Sequence, residues 1–154
     1  MGSDTYEVVR ETDIAAPADA VHDLIVDFRE WQRWSPWEDL DPNLDRTFIG
    51  PDRGEGAEYA WKGNRKAGQG SMEITEDRPD EVVVAVEFLK PFKSSSTATF
   101  RLDEVGGATH VSWTMVGPRT FATKVMGIFK KMDDMIGPDF EKGLARLKTA
   151  AETS

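Results

Sequence analysis

The residues able to do chemistry are few, and their spacing excludes more reactions than it suggests. The chain has no cysteine, which removes disulfides, thiolate nucleophiles and Cys-based zinc sites. Its two histidines, His22 and His110, have no sequence-near partners of the kind a catalytic triad needs. His110 alternates with Val111 and is expected to face away from a core, and His22, beside Val21, is expected at a helix surface. A His-dependent hydrolase is therefore not expected. Asp39, Asp41, Asn43 and Asp45 copy the first ligand positions of an EF-hand loop. Leu44 then stands where that loop needs its glycine, and Gly50 where it needs its bidentate glutamate. An exposed acidic loop is expected, with no metal and no cofactor. Gly54-Glu55-Gly56 and Gly68-Gln69-Gly70 lack phosphate-loop spacing and read as hairpin turns. No residue is assigned a catalytic role.

Arg10 is the most interesting charge. Strand alternation puts Tyr6, Val8, Arg10, Thr12 and Ile14 on one face. If Ile14 faces inward, so does Arg10, and a buried guanidinium binds a carboxylate or enolate. A one-residue bulge would instead turn Arg10 to solvent; both alternatives stand. The second candidate set is apolar. Tyr59, Trp61, Met72, Phe88, Phe100, Trp113 and Met115 fall on inward strand positions, and Met126, Phe129, Met132, Met135 and Phe140 on one helical stripe. Adaptable methionines among aromatics suit a cavity wall; the same residues could equally fill a core. Trp31, Trp34 and Trp37 either anchor the loop from Pro36 to Leu44 or form the rim of a cavity mouth, each with an indole N–H to place.

The elements that must position these groups follow from hydrophobic period. Tyr6 to Ile14 reads as a strand. Pro17 starts a helix carrying Val21, Leu24, Ile25 and Phe28, and a second short helix carries Trp31 and Trp34 and ends at Pro36. Asp39 to Asp45 is a polar loop. Period-two alternation then runs through Ala57-Tyr59-Trp61, Gly70-Met72-Ile74, Val82-Val84-Val86-Phe88, Ala98-Phe100-Leu102 and Val111-Trp113-Met115. Turn residues separate these runs, including Arg78-Pro79-Asp80 and Gly106-Gly107, so the strands are antiparallel hairpins. From Phe121 the period is 3.6, interrupted at Gly137-Pro138. That predicts either two consecutive helices or one sharply kinked helix. A swinging lid over 120–136 and a static kink following the sheet are both compatible with it. The expected fold is α+β: a curved antiparallel sheet of six or seven strands around a long, kinked C-terminal helix, with two short helices after the first strand.

The 154 residues suit one domain, and 39% apolar with 31% charged residues reads as globular. A formal net charge of −9 argues against a protein that tracks nucleic-acid phosphates. Residues 1–60 hold 15 acidic and 5 basic side chains, so the N-terminal face is acidic. No stretch is long and apolar enough to predict a membrane span, and Met1 to Arg10 does not read as a secretory signal. A cytoplasmic location is expected; nothing sets an oligomeric state.

The layout and wording resemble the START-like superfamily (SRPBCC, the helix-grip fold), in its polyketide cyclase/dehydrase-type branch. The resemblance rests on Ile14-Ala15-Ala16-Pro17 with Val21, Trp31, Trp34-Ser35-Pro36-Trp37, Gly54, Gly56, Tyr59 and Trp61-Lys62-Gly63-Asn64. It continues through Leu89-Lys90-Pro91-Phe92, Thr109, Val111, Trp113, Gly137-Pro138-Asp139-Phe140 and Gly143-Leu144, over roughly residues 5–150. It implies a cavity between sheet and C-terminal helix for a lipid, polyketide or aromatic metabolite. Three functions fit: a carrier or sensor of an apolar small molecule, a cyclase/dehydrase-type enzyme using cavity polar groups, and a protein-interaction module with a vestigial cavity. A fold analogy does not choose among them.

Overall fold

Alternation of apolar and polar residues generates six of the seven strands in the computed structural model, which describes residues 5–36, 41, 43–64, 68–90, 93–118 and 132–153. The seven are β1 (Thr5–Ile14), β2 (Asp45–Ile49), β3 (Glu58–Lys62), β4 (Gln69–Arg78), β5 (Glu81–Lys90), β6 (Ser94–Val105) and β7 (Ala108–Pro118). Helix α1 (Ala18–Ile25) and a 3-10 helix (Glu30–Arg33) follow β1, and α2 (Met132–Glu152) closes the chain. The strands form one antiparallel sheet in the order β1-β7-β6-β5-β4-β3-β2. Gly106 and Gly107 both take positive φ, at 61° and 83°, as the tight β6–β7 turn requires.

Strand β2 was not expected. Its sequence, DRTFI, buries neither face fully at the sheet edge, so it carries no apolar period to read. Helix α2 runs through Gly137-Pro138 as one element. Among the described residues the helix is continuous through that interruption, with no break into two helices there. The segment 120–136, read as either a swinging lid or part of a static kink, falls mostly outside the described residues.

Helix α1 begins after Pro17 without a capping side chain of its own. Glu104 of β6 supplies one instead: its carboxylate accepts the Ala18 N–H at 2.7 Å, where the helix dipole favours an anion. At the other end, Trp34 Nε1–H donates to the Leu24 carbonyl (2.8 Å) and Trp31 Nε1–H to the Ile25 carbonyl (2.7 Å). Two orphan helix carbonyls are thus satisfied by indoles. Both rings are buried, so Trp31 and Trp34 are core residues and not a rim. Trp37 lies outside the described residues.

The far end of α2 is tied back to β1. Glu152 accepts the Ala15 N–H (2.8 Å), and Lys148 Nζ donates to the Asp13 carbonyl and to Glu152. Lys148 first, then the Ala15 N–H, hold the Glu152 carboxyl below its ordinary range.

Candidate functional site

Strand register sorts the inward face of the sheet into five rows running across the strands. The first is Thr12–Val111–Leu102, the second Arg10–Trp113–Phe100–Val82, and the third Val8–Met115–Ala98–Val84–Ile74. The fourth is Phe48–Tyr59–Met72–Val86–Ser96, continued by Gly117 on β7, and the fifth is Trp61–Gly70–Phe88 with Arg46 beside Trp61.

Rows one to three are filled. Phe140 of α2 lies flat on Trp113, with ring centres 3.9 Å apart and planes at 5°, and Phe100 stacks on Trp113 at 5.0 Å. Trp31 and Trp34 meet Phe100 edge-on. Gly143 lets this contact close: a Cβ there would stand 2.9 Å from Pro36 Cδ and 3.0 Å from Trp113 Cζ3. Phe100, Trp113, Met115 and Phe140, expected as either wall or core, are all buried in this packed half.

Rows four and five are different. Tyr59 is buried and stacks on Phe48 and Phe28, but Trp61, Met72 and Phe88 remain half-buried. Between them the sheet carries Gly70, Ser96 and Gly117, all buried and all small. Trp61 meets Phe88 edge-on at 5.8 Å and lies across Gly70, where a Cβ would come within 2.7 Å of the indole. This end of the concave face thus sets half-buried aromatic rings and a thioether beside small residues. Among its described side chains, Tyr59 and Arg46 are ionisable. Ser96 was legible as an inward position two residues before Ala98, whereas Phe48 was hidden because β2 was.

Arg10 sits on the inward face without a bulge, in register with Trp113. Its side chain is 24% exposed, and Nε donates to Glu141 of α2 at 2.8 Å, while Nη1 donates to the Val9 carbonyl. Its guanidinium occupies the space that a side chain at Gly137 would need. The Gly137-Pro138 pair therefore marks a close approach between helix and arginine. Met126 and Phe129 lie outside the described residues, as does the side chain of Met132 at the start of α2.

The polar candidates are structural partners. His22 is only 18% exposed, more buried than expected, because its Nε2 meets Asp77 of β4 at 2.6 Å. His110 does face outward, between Asp13 (Nδ1, 2.6 Å) and Glu11 (Nε2, 2.5 Å), and hydrogen bonds to Asp13 first and Glu11 second raise its pKa. Asp41 accepts the backbone N–H groups of Asn43 and Asn64, both at 2.8 Å, and so fastens its loop to the β3–β4 turn. Among the described residues no group of three or more His, Asp or Glu is placed to hold a metal, and no helix is long and apolar enough to cross a membrane.

A seven-stranded sheet curled onto one C-terminal helix, with an apolar concave face, is the helix-grip architecture. The chain belongs to the family described as polyketide cyclase / dehydrase and lipid transport, whose model matches residues 5–152. Among solved structures, one from Thermobifida fusca is 21% identical with a TM-score of 0.69, over 96% of this chain and 93% of that one. Ara h 8.0201 is 11% identical with a TM-score of 0.61, over 97% and 96%. DynU16, from the dynemicin biosynthetic locus, is 17% identical with a TM-score of 0.62; it is matched over 96% of this chain but 47% of its own. These likenesses establish the fold. No curated protein matches by sequence.

Proposed function

We propose that the protein binds an apolar small molecule, of the lipid, polyketide or aromatic-metabolite class, against the fourth and fifth rows of the sheet, as a carrier or sensor. The observation that carries this reading is the contrast within one concave face. Trp61, Met72 and Phe88 stay half-buried around Gly70, Ser96 and Gly117, beside a half that is packed solid. Aromatic rings and a methionine offer apolar area that adapts to irregular ligands. Ser96 and Tyr59 are the polar side chains described in the fourth row. Binding ranks above catalysis because a reaction needs converging acid and base groups, and the described side chains of these rows include no carboxylate and no imidazole. Arg10 is assigned to docking α2 on β1, since Glu141 holds its Nε.

Titration with the neutral probe N-phenyl-1-naphthylamine tests the proposal. Saturable probe emission excited through tryptophan is expected, with Trp61→Phe reducing the transfer. Ser96→Phe, which enlarges a small residue of the fourth row, and Phe88→Ala, which removes a half-buried ring of the fifth, should each weaken binding about tenfold, the worth of ~1.4 kcal/mol. A parent protein with no saturable signal, or variants that bind as the parent does, would leave the protein-interaction reading in its place.

A further inference from the structure

The chain has six methionines and no cysteine, so its sulfur chemistry is that of the thioether alone. Met72 and Met115 occupy adjacent rows of the same concave face. Met115, in the third row between Val8 and Ala98, is buried. Met72, in the fourth row between Tyr59 and Val86, is half-buried. An oxidant dissolved in water therefore reaches the second side chain and is kept from the first.

Oxidation would change what position 72 does. A methionine there offers adaptable apolar area. Its sulfoxide carries a polar oxygen that accepts hydrogen bonds from water. An apolar ligand laid over the fourth row strips that water away and supplies no donor in its place. Because Met72 is only half-buried, the folded protein without ligand leaves the oxygen hydrated. Oxidation at this residue thus opposes binding more than it opposes folding.

We propose that Met72 is a modification site, at which oxidation to the sulfoxide by a hydroperoxide lowers the affinity of the concave face for its apolar ligand. The inference rests on the binding reading of the fourth and fifth rows. In the step, a sulfur lone pair attacks one peroxide oxygen, and the S–O bond forms as the O–O bond breaks. Sulfur gives up two electrons. The proton on the transferred oxygen passes to the departing one, which leaves as water. A ligand seated over the row covers the same sulfur, so binding slows the oxidation.

The test treats the protein with graded hydrogen peroxide, with and without saturating N-phenyl-1-naphthylamine, and locates the sulfoxides by peptide mass spectrometry. Peroxide is removed with catalase before the probe is titrated. Met72 should oxidise before Met115, and more slowly when the probe is bound. The oxidised protein should keep its circular dichroism spectrum but bind the probe about tenfold more weakly, the scale of one poorly solvated polar group. Methionine sulfoxide reductases, one for each epimer, should restore the affinity. In Met72→Leu, whatever its starting affinity, peroxide should leave binding unchanged, whereas Met115→Leu should respond as the parent does. Oxidation of Met72 no faster than that of Met115 would overturn the proposal. So would full affinity in protein oxidised at Met72, or the parent's loss of affinity persisting in Met72→Leu. Any of these, with saturable binding in the untreated parent, leaves the concave-face reading standing; no saturable binding in the untreated parent overturns both.

Discussion

Truncating Phe140 separates the two halves of the concave face. Phe140 is fully buried, and its ring lies 3.9 Å from that of Trp113. Phe→Ala at such a site costs about 3–5 kcal/mol, because the lost transfer energy is joined by a cavity that cannot collapse. Neither the sheet behind Trp113 nor the helix backbone beside Gly143 is free to close it. Set against ~5–15 kcal/mol of total stability, this is a large share. At this chain length it lowers Tm by roughly 6–20 °C. Phe88 is the same residue type in the fifth row, half-buried. Its truncation removes about half of a ~1.5–3 kcal/mol transfer term and leaves a space open to water instead of a sealed void, so about 1 kcal/mol is expected. Urea unfolding followed by circular dichroism measures both, and the m-values should match the parent. Phe140→Ala should lose stability while any folded fraction retains apolar-probe binding, whereas Phe88→Ala should lose binding with little loss of stability. Equal costs, or a larger cost at Phe88, would refute the division of the face into a packed half and a binding half.

Gly70→Ala places a Cβ against the Glu87 carbonyl and the Trp61 indole; the expected cost of ~1–3 kcal/mol is that of overpacking. A red-shifted tryptophan emission should accompany it, and an unchanged unfolding midpoint would count against the close approach. Gly137→Ala ordinarily gains ~0.8–1 kcal/mol of helix propensity, but here the new methyl displaces Arg10 from Glu141. The gain should be absent in the parent and reappear in an Arg10→Ala background; additivity within ~0.5 kcal/mol in a urea double-mutant cycle would sink this coupling. The His110 pKa is raised above 6.5 by Asp13 and then Glu11. Its stabilising contribution is therefore fully present below the unfolded value and fades as pH rises through the folded one. The effect is small because the ring is 40% exposed. His110→Gln should flatten that part of the pH profile, and a parent profile of opposite slope would contradict the assignment.

The sequence by itself determined the order of elements and the faces of the strands. Alternation is a local property, so Val82, Val84 and Val86, or Val111, Trp113 and Met115, point inward wherever the sheet is placed. The turn glycines fixed antiparallel pairing between neighbours, and Pro17 set the start of α1. Strand β2 escaped because its inward face holds only Arg46 and Phe48, half-buried, while the apolar Ile49 faces solvent, so its sequence shows no apolar alternation. Tertiary structure alone decided which inward residues are fully buried and which stay half-buried. Phe100 and Phe88 are the same residue at inward strand positions, yet one lies beneath Trp31 and Trp34 and the other stays half-buried beside Trp61. That difference is set by where the helices land on the sheet, not by any pattern along the strand. The same holds for Gly137, Gly143 and Gly70. Each reads locally as flexibility, but each is required because a distant side chain (Arg10, Trp113 or Trp61) comes to rest on its backbone. Met72 and Met115 likewise alternate in the same way along their strands, and only the packing above the sheet buries one and leaves the other half-buried.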